Sequence, residues 1–178
     1  MIKTIKSKKV YKNHWITVWE DEVEFSKNKK GVYAYMGRND AGPIVVALTK
    51  DNKVVVLNEY RYPIKKYTRC FPAGGREGKE SWLSAAKREL KEETGITAGK
   101  WTNLGKIYID PGASCQSSVV FLAENLQYGN SSLEDTEKHT VSFVSLIDLE
   151  KLILKGAINS NWLLASYAKL IVFLKNRI

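Results

Sequence analysis

An α/β fold, with helices on the faces of a mixed sheet and a small antiparallel β unit ahead of it, follows from three features of the chain. Short β-branched and aromatic runs divided by turn residues fill the first sixty positions. One segment, 82–94, is free of Gly and Pro and long enough for a helix, and further strand-like runs alternate with helical ones after it. A chain of 178 residues with 44% hydrophobic content suits one main domain with a small appended subdomain.

In chain order, Ile16 to Phe25, Val32 to Met36, Ile44 to Leu48 and Val54 to Tyr60 read as strands. Lys27 to Gly31 forms the hairpin between the first two, Asn39 to Pro43 is a Gly and Pro junction, and Asp51 to Lys53 is a tight turn. Residues 1–40 therefore form the antiparallel subdomain and 41–178 the main domain. Ser81 is a good N-cap and Gly95 a good terminator, which predicts a helix over 82–94. Lys106 to Ile109, Val119 to Ala123 and Val141 to Val144 add three strands, and Leu146 to Lys155 a helix. Trp162, Leu164, Leu170, Ile171 and Leu174 recur near helical spacing and predict a final helix on the core, with dimer contact as its other use.

Twenty-eight Lys and Arg against 19 Asp and Glu give a net charge of +9, a field that attracts anionic substrates. A nucleic-acid coat is disfavoured, because an acidic cluster lies inside this basic chain. The runs Lys3 to Lys9 and Lys27 to Lys30 read as solvated turns and edges. Cys70 and Cys115 are too few for a disulfide framework or a zinc site and are expected to be free thiols in a cytoplasmic protein. No apolar leader segment is visible, and Ser166 and Lys169 interrupt the longest apolar stretch, so neither secretion nor membrane spanning is expected.

The acidic cluster is GGREGKESWLSAAKRELKEETGI, from Gly74 to Ile96. On a helix Glu89, Glu92 and Glu93 share one side, while Leu83, Ala86 and Leu90 mark the side that faces a core. Like charges at that spacing repel by roughly a few tenths of a kcal/mol per pair, and Arg88 offsets only part of this through Glu92. A solvated acidic face would not require a Gly-rich approach or an arginine beside the first glutamate. A hard cation would, because Mg2+ or Mn2+ takes oxygen ligands from one or two carboxylates together with water and substrate phosphate.

Gly74, Glu80, Arg88, Glu89, Leu90, Glu92, Glu93, Gly95 and Ile96 fill every defined position of a pattern that resembles the Nudix box. The resemblance implies hydrolysis of a nucleoside diphosphate linked to another moiety. It implies Glu89, Glu92, Glu93 and the main-chain oxygen of Ala73 as ligands of Mg2+ (Mn2+ being possible), with Arg88 and Glu80 orienting them and Gly74 and Gly95 as structural support. NHWITVWEDEV at 13–23, NEYRYP at 58–63, FPAGG at 71–75, the loop with Pro111 and GAINSNWLLA at 156–165 extend the likeness to the ADP-ribose pyrophosphatase branch. That branch implies an N-terminal three-stranded unit ahead of an α/β/α Nudix sandwich, and a homodimer formed through that unit. ADP-ribose cleaved to AMP and ribose 5-phosphate is the leading substrate. A sugar nucleotide such as GDP-mannose, a non-catalytic nucleotide-sensing module and an RNA-cap hydrolase are the alternatives.

The same branch implies a catalytic base on an acidic loop before the last strand, where SLEDTEKHTV offers Glu137 first, then Glu134 and Asp135. Arg61, at a strand end, is assigned a substrate phosphate or ribose contact. Trp15 and Trp19 are candidates to stack a base, Trp15 preferred, with core packing the other explanation for one of them. His139 could also join the site, although a lone His beside a strand reads more simply as a surface or packing residue, and His14 reads the same way. Beyond Pro111 this chain has ASCQSS where many relatives carry an acidic residue, which leaves the leaving group open.

Overall fold

The computed structural model describes residues 1–38, 42–130 and 139–177. They divide into two compact units, Met1–Ala41 with Tyr108–Ser117, and Gly42–Ile107 with Ser118–Ile178.

The first unit is an antiparallel meander of β1 (Lys3–Lys12), β2 (Ile16–Glu24) and β3 (Lys30–Arg38). Strand β1 lies at the edge of this sheet and takes in Lys3 to Lys9, which the residues alone place in solvated turns and edges. All ten of its residues are exposed, so it has no buried alternation to betray a strand. Its register explains it instead: Lys3 lies opposite Glu24, Lys6 opposite Glu22 and Lys8 opposite Glu20. The Pro111 loop belongs to this unit as well. Met36 donates from its N–H to the oxygen of Ala113 at 3.0 Å, Cys115 donates back to Met36 at 3.0 Å, and the Tyr33 hydroxyl reaches the oxygen of Gly112 at 2.8 Å.

The second unit is layered. Strand β4 (Ile44–Ala47) runs parallel to β8 (Ser117–Tyr128), which also pairs with β7 (Ile96–Tyr108); a second sheet has the order β6 (Lys66–Cys70), β5 (Lys53–Arg61), β9 (His139–Ser145). Residues of β4 and β8 alternate between two cores. Ile44, Val46, Val120 and Leu122 join Phe71, Leu149, Leu163 and Leu170 under helices α2 (Leu146–Leu154) and α3 (Asn161–Lys175), while Val45, Ala47, Phe121 and Ala123 join Ala86 and Leu90 of α1 (Trp82–Thr94). With both faces covered, these strands read as continuous apolar runs, and burial of each such side chain contributes about 1.5–3 kcal/mol. The architecture is thus helix, sheet, helix. Two strands differ from the sequence expectation: β6, only five residues long, is absent from it, and β7 runs for 13 residues although only its end, from Lys106, looks strand-like.

Helix α1 ends where the sequence predicts. The Ser81 hydroxyl accepts the N–H of Ser84 at 3.0 Å, and Gly95 closes the helix in the left-handed region at φ 71°. Among the described residues, no helix is long and apolar enough to cross a membrane.

Candidate functional site

On α1 the face that meets the sheet carries Ala85, Ala86 and Leu90, and the same turns bury two carboxylates, Glu89 and Glu93, at 7% and 6% exposure. Taking an ionised carboxylate out of water costs several kcal/mol, so each must be compensated by built-in partners. Glu89 accepts from Arg88 Nη1 at 2.8 Å and lies against the main chain of Gly74. A Cβ at Gly74 would stand 2.1 Å from the carboxyl carbon of Glu89, and one at Gly42 would stand 1.7 Å from the oxygen of Gly74. Glycine is needed at both places for close approach: the first lets a carboxylate touch the chain, the second lets two segments of chain touch.

Glu93 is gripped twice. Its Oε2 accepts the N–H of Ala73 at 3.0 Å, and its main-chain oxygen accepts from His139 Nε2 at 2.8 Å. Glu92, one turn beyond Arg88, accepts from Nη1 at 2.9 Å and stays partly exposed. Of the three carboxylates two are buried and Glu92 is partly exposed, and Arg88 Nη1 joins Glu89 to Glu92.

Arg88 is the hub. Its Nε and Nη2 donate to the two oxygens of Glu80 at 3.3 and 3.1 Å, and Nη2 also donates to the oxygen of Gly75 at 2.7 Å. Burial opposes its charge, but the hydrogen bonds to Glu80, Glu92 and Glu89 outweigh that and hold the guanidinium firmly protonated. The hydrogen bond from Arg88 in turn holds the Glu80 carboxyl below its ordinary value. Three carboxyl groups, those of Glu80, Glu89 and Glu92, thus face one guanidinium, and such oxygen ligands are what a hard divalent cation takes. Among the described residues no group of three or more acidic, His or Cys side chains is placed to hold a metal ion. Mg2+ is commonly bound through one or two carboxylates together with water and substrate phosphate.

Arg61 closes β5 and pairs with Glu59 at 2.8 Å. Both touch Cys70, whose Sγ lies 3.7 Å from Glu59 Oε2 and 4.0 Å from Arg61 Nη2, and whose thiol burial pushes up to about 12. Glu93 raises this thiol too, so Arg61, Glu59 and Cys70 adjoin the end of the box. Gly42, Gly75 and Glu59 were not singled out by sequence as parts of this cluster, and His139 only as able to join it. Glu59 had a readable signal, two positions before Arg61 on the same strand face; the others depend on contacts distant in sequence.

In the first unit, Trp15 precedes β2 rather than sharing a strand face with Trp19, and it is 58% exposed with His14 edge-on at 4.8 Å. Trp19 is stacked on Tyr35, centroids 5.2 Å apart, so one face of its ring is already covered. Pro111 is exposed and, with Asp21, Tyr33, Tyr35 and Tyr108, lines a cavity of about 710 Å3 within this unit. Glu134, Asp135 and Glu137 lie outside the described residues.

Comparison with known proteins bears on the same segments. Residues 38–165 match the NUDIX domain family. The chain belongs to the Nudix family. Residues 2–36 of this Nudix protein match the nucleoside diphosphate sugar hydrolase N-terminal domain. It is 31% identical over 153 residues to an ADP-ribose pyrophosphatase of Bacillus subtilis (strain 168), covering 85% of this chain and 82% of that one. It is 28% identical to the ADP compounds hydrolase NudE of Escherichia coli (strain K12), covering 66% and 63% of the two chains. A crystal structure of an ADP compounds hydrolase superimposes with a TM-score of 0.87 at 25% identity, over 99% of this chain and 95% of the other. The chain is a Nudix pyrophosphohydrolase, and such hydrolases generally need a divalent metal. The Glu89 and Glu93 carboxylates in their glycine-lined cradle fit one.

Proposed function

We propose that this Nudix hydrolase cleaves the pyrophosphate bond of a nucleoside diphosphate linked to a sugar, with ADP-ribose yielding AMP and ribose 5-phosphate as its principal reaction and Mg2+ as its metal. The observation that carries this reading is the pair of buried carboxylates, Glu89 and Glu93, held on one helix face by Gly74 and Ala73. The names of the relatives, ADP-ribose pyrophosphatase and ADP compounds hydrolase, point to the same substrate class.

Bound there, Mg2+ would neutralise the diphosphate and lower the pKa of water. Glu89, Glu92, Glu93 and the Ala73 oxygen are the proposed ligands. Arg88, fixed by Glu80 and Gly75, keeps Glu89 and Glu92 at set positions. Arg61 offers a two-pronged contact to a substrate phosphate or ribose, oriented by Glu59. Glu137 is the proposed base that takes the proton of the attacking water, with Glu134 and Asp135 as replacements. It precedes by two residues His139, whose ring rests on Glu93. Water adds to one phosphorus, the bridging P–O bond breaks, and two phosphomonoesters leave.

Residues 1–40 are proposed as a subdomain for dimerisation and base contact, and 41–178 as the hydrolase domain. The exposed apolar side chains of β1, Ile5, Val10 and Tyr11, support a homodimer through that subdomain. Trp15, exposed, is the preferred partner of the base, with Trp19 and Pro111 beside it in the proposal. The free Cys70 and Cys115 support a cytoplasmic location.

A second reading, a different nucleoside diphosphate sugar such as GDP-mannose, is favoured by the description of the N-terminal domain family. A Mg2+-dependent screen over ADP-ribose, NDP-sugars, dinucleotides and capped RNA decides between them. The expected result is fastest release of AMP from ADP-ribose, lost in Glu93→Gln. Equal turnover by wild type and Glu93→Gln across the panel would overturn the catalytic reading, and preference for GDP-mannose or for capped RNA would replace the substrate.

A further inference from the structure

The last turn of a helix leaves its carbonyls without intrahelical partners and is where helices fray. Glu93 is the next-to-last residue of α1, so the chain places a buried carboxylate on its least secure turn. Local caps secure part of that turn: Gly95 N–H donates to Lys91 at 2.8 Å, and the Thr94 hydroxyl donates to the oxygen of Leu90. The oxygen of Glu93 is met from 46 residues away, by His139 Nε2 at 2.8 Å. A carbonyl oxygen only accepts, so Nε2 carries the proton and its orientation is set.

His139 begins β9, directly opposite Glu59 of β5, and Arg61 follows Glu59 on the same strand. The edge of the second sheet is thereby tied to the end of the box helix at the one residue whose side chain is also tied to Ala73. Glu93 is held at both its main-chain oxygen and its carboxylate, which fixes the direction in which the remaining oxygen points.

We infer that His139 is a positioning residue for the metal site: it anchors the main chain of Glu93 and so presets the Glu93 carboxylate for a divalent cation. This rests on the proposed role of Glu93 as a metal ligand. Outer partners of metal ligands typically contribute about 10–100-fold in affinity or activity. A helix cap with no further role would change stability and leave metal affinity alone.

The test is a Mn2+ titration followed by electron paramagnetic resonance on wild type, His139→Leu, His139→Gln and Glu93→Gln, with steady-state kinetics beside it. His139→Leu keeps bulk and loses the donor, whereas His139→Gln keeps an amide N–H at similar reach. The expected result is about tenfold weaker Mn2+ binding by His139→Leu. Its KM for ADP-ribose should be unchanged, kcat should recover at high metal, and affinity should return in His139→Gln. Should His139→Leu fail to fold, His139→Asn, whose amide is too short to reach, takes its place. Binding by the donor-less variant within twofold of wild type, with only the melting temperature lowered, overturns the inference while the Glu93 dependence stands. Equal binding by wild type and Glu93→Gln removes the metal reading itself and this inference with it.

Discussion

Strand β1 and helix α1 both set charged side chains against partners, yet they do so with opposite balance. Along β1 three lysines lie opposite acidic residues across the ladder, Lys3 with Glu24, Lys6 with Glu22 and Lys8 with Glu20, on an exposed strand. At α1, Glu80, Glu89 and Glu92 crowd around Arg88, while Glu93 is held at the main chain of Ala73, and two of these four carboxylates are buried. Exposed pairs are worth about 0–1 kcal/mol each, whereas removing one member of a buried network costs about 3–5 kcal/mol. Charge that is satisfied locally builds a strand. Charge left in excess, at a cost in desolvation, marks a place where a cation and an anionic substrate belong.

That contrast breaks most visibly in the rate. Glu89→Gln should lower kcat by roughly a hundredfold or more, since the lost stabilisation of transferring charge amounts to several kcal/mol. Reversing the Lys8 and Glu20 pair should leave kcat within twofold. A comparable loss from the β1 reversal in a steady-state assay would erase the distinction. Stability is the next lever. Arg88→Met should destabilise by about 3 kcal/mol in urea unfolding, because three carboxylates lose their cation, while Lys8→Ala should stay within about 0.5 kcal/mol.

Assembly is expected to follow the other region. Val10→Lys places charge among the exposed apolar side chains of β1 and should turn the proposed dimer into a monomer in sedimentation velocity with little change in melting temperature; an unmoved sedimentation coefficient would contradict a dimer formed through β1. A smaller effect lies in pH. Because Arg88 depresses the Glu80 carboxyl below 4.5, its contribution is complete above that value and is lost as pH falls through the lower, folded one. The melting-temperature gap between wild type and Glu80→Gln should therefore hold from neutral pH to about 4.5 and narrow below it. Smallest of all, thiol labelling of native protein should modify the exposed Cys115 and spare Cys70, whose thiol is buried and pushed up to about 12.

The box was readable because its chemistry demands fixed residue types at fixed spacing, so Ser81, Gly95 and the four glutamates placed the helix and its face before any contact was known. The two apolar cores were readable from the unbroken runs at Ile44 to Leu48 and Val119 to Ala123, for the same physical reason that both faces are covered. Strand β1 was not, since an exposed strand held by cross-strand charge has no burial period. Nor were the His139 contact with Glu93, the Gly42 contact with Gly74, or the joining of the Pro111 loop to the edge of β3, each made by residues more than thirty positions apart.

The central claim is that the buried glutamates of α1 drive attack of water on a pyrophosphate. Hydrolysis of ADP-ribose with Mg2+ in 18O-labelled water, analysed by mass spectrometry, tests it most directly. The account predicts AMP and ribose 5-phosphate with one labelled oxygen in one of the two phosphates, and no labelled product above background from Glu93→Gln. Equal label from wild type and Glu93→Gln, or label in neither phosphate, would contradict it.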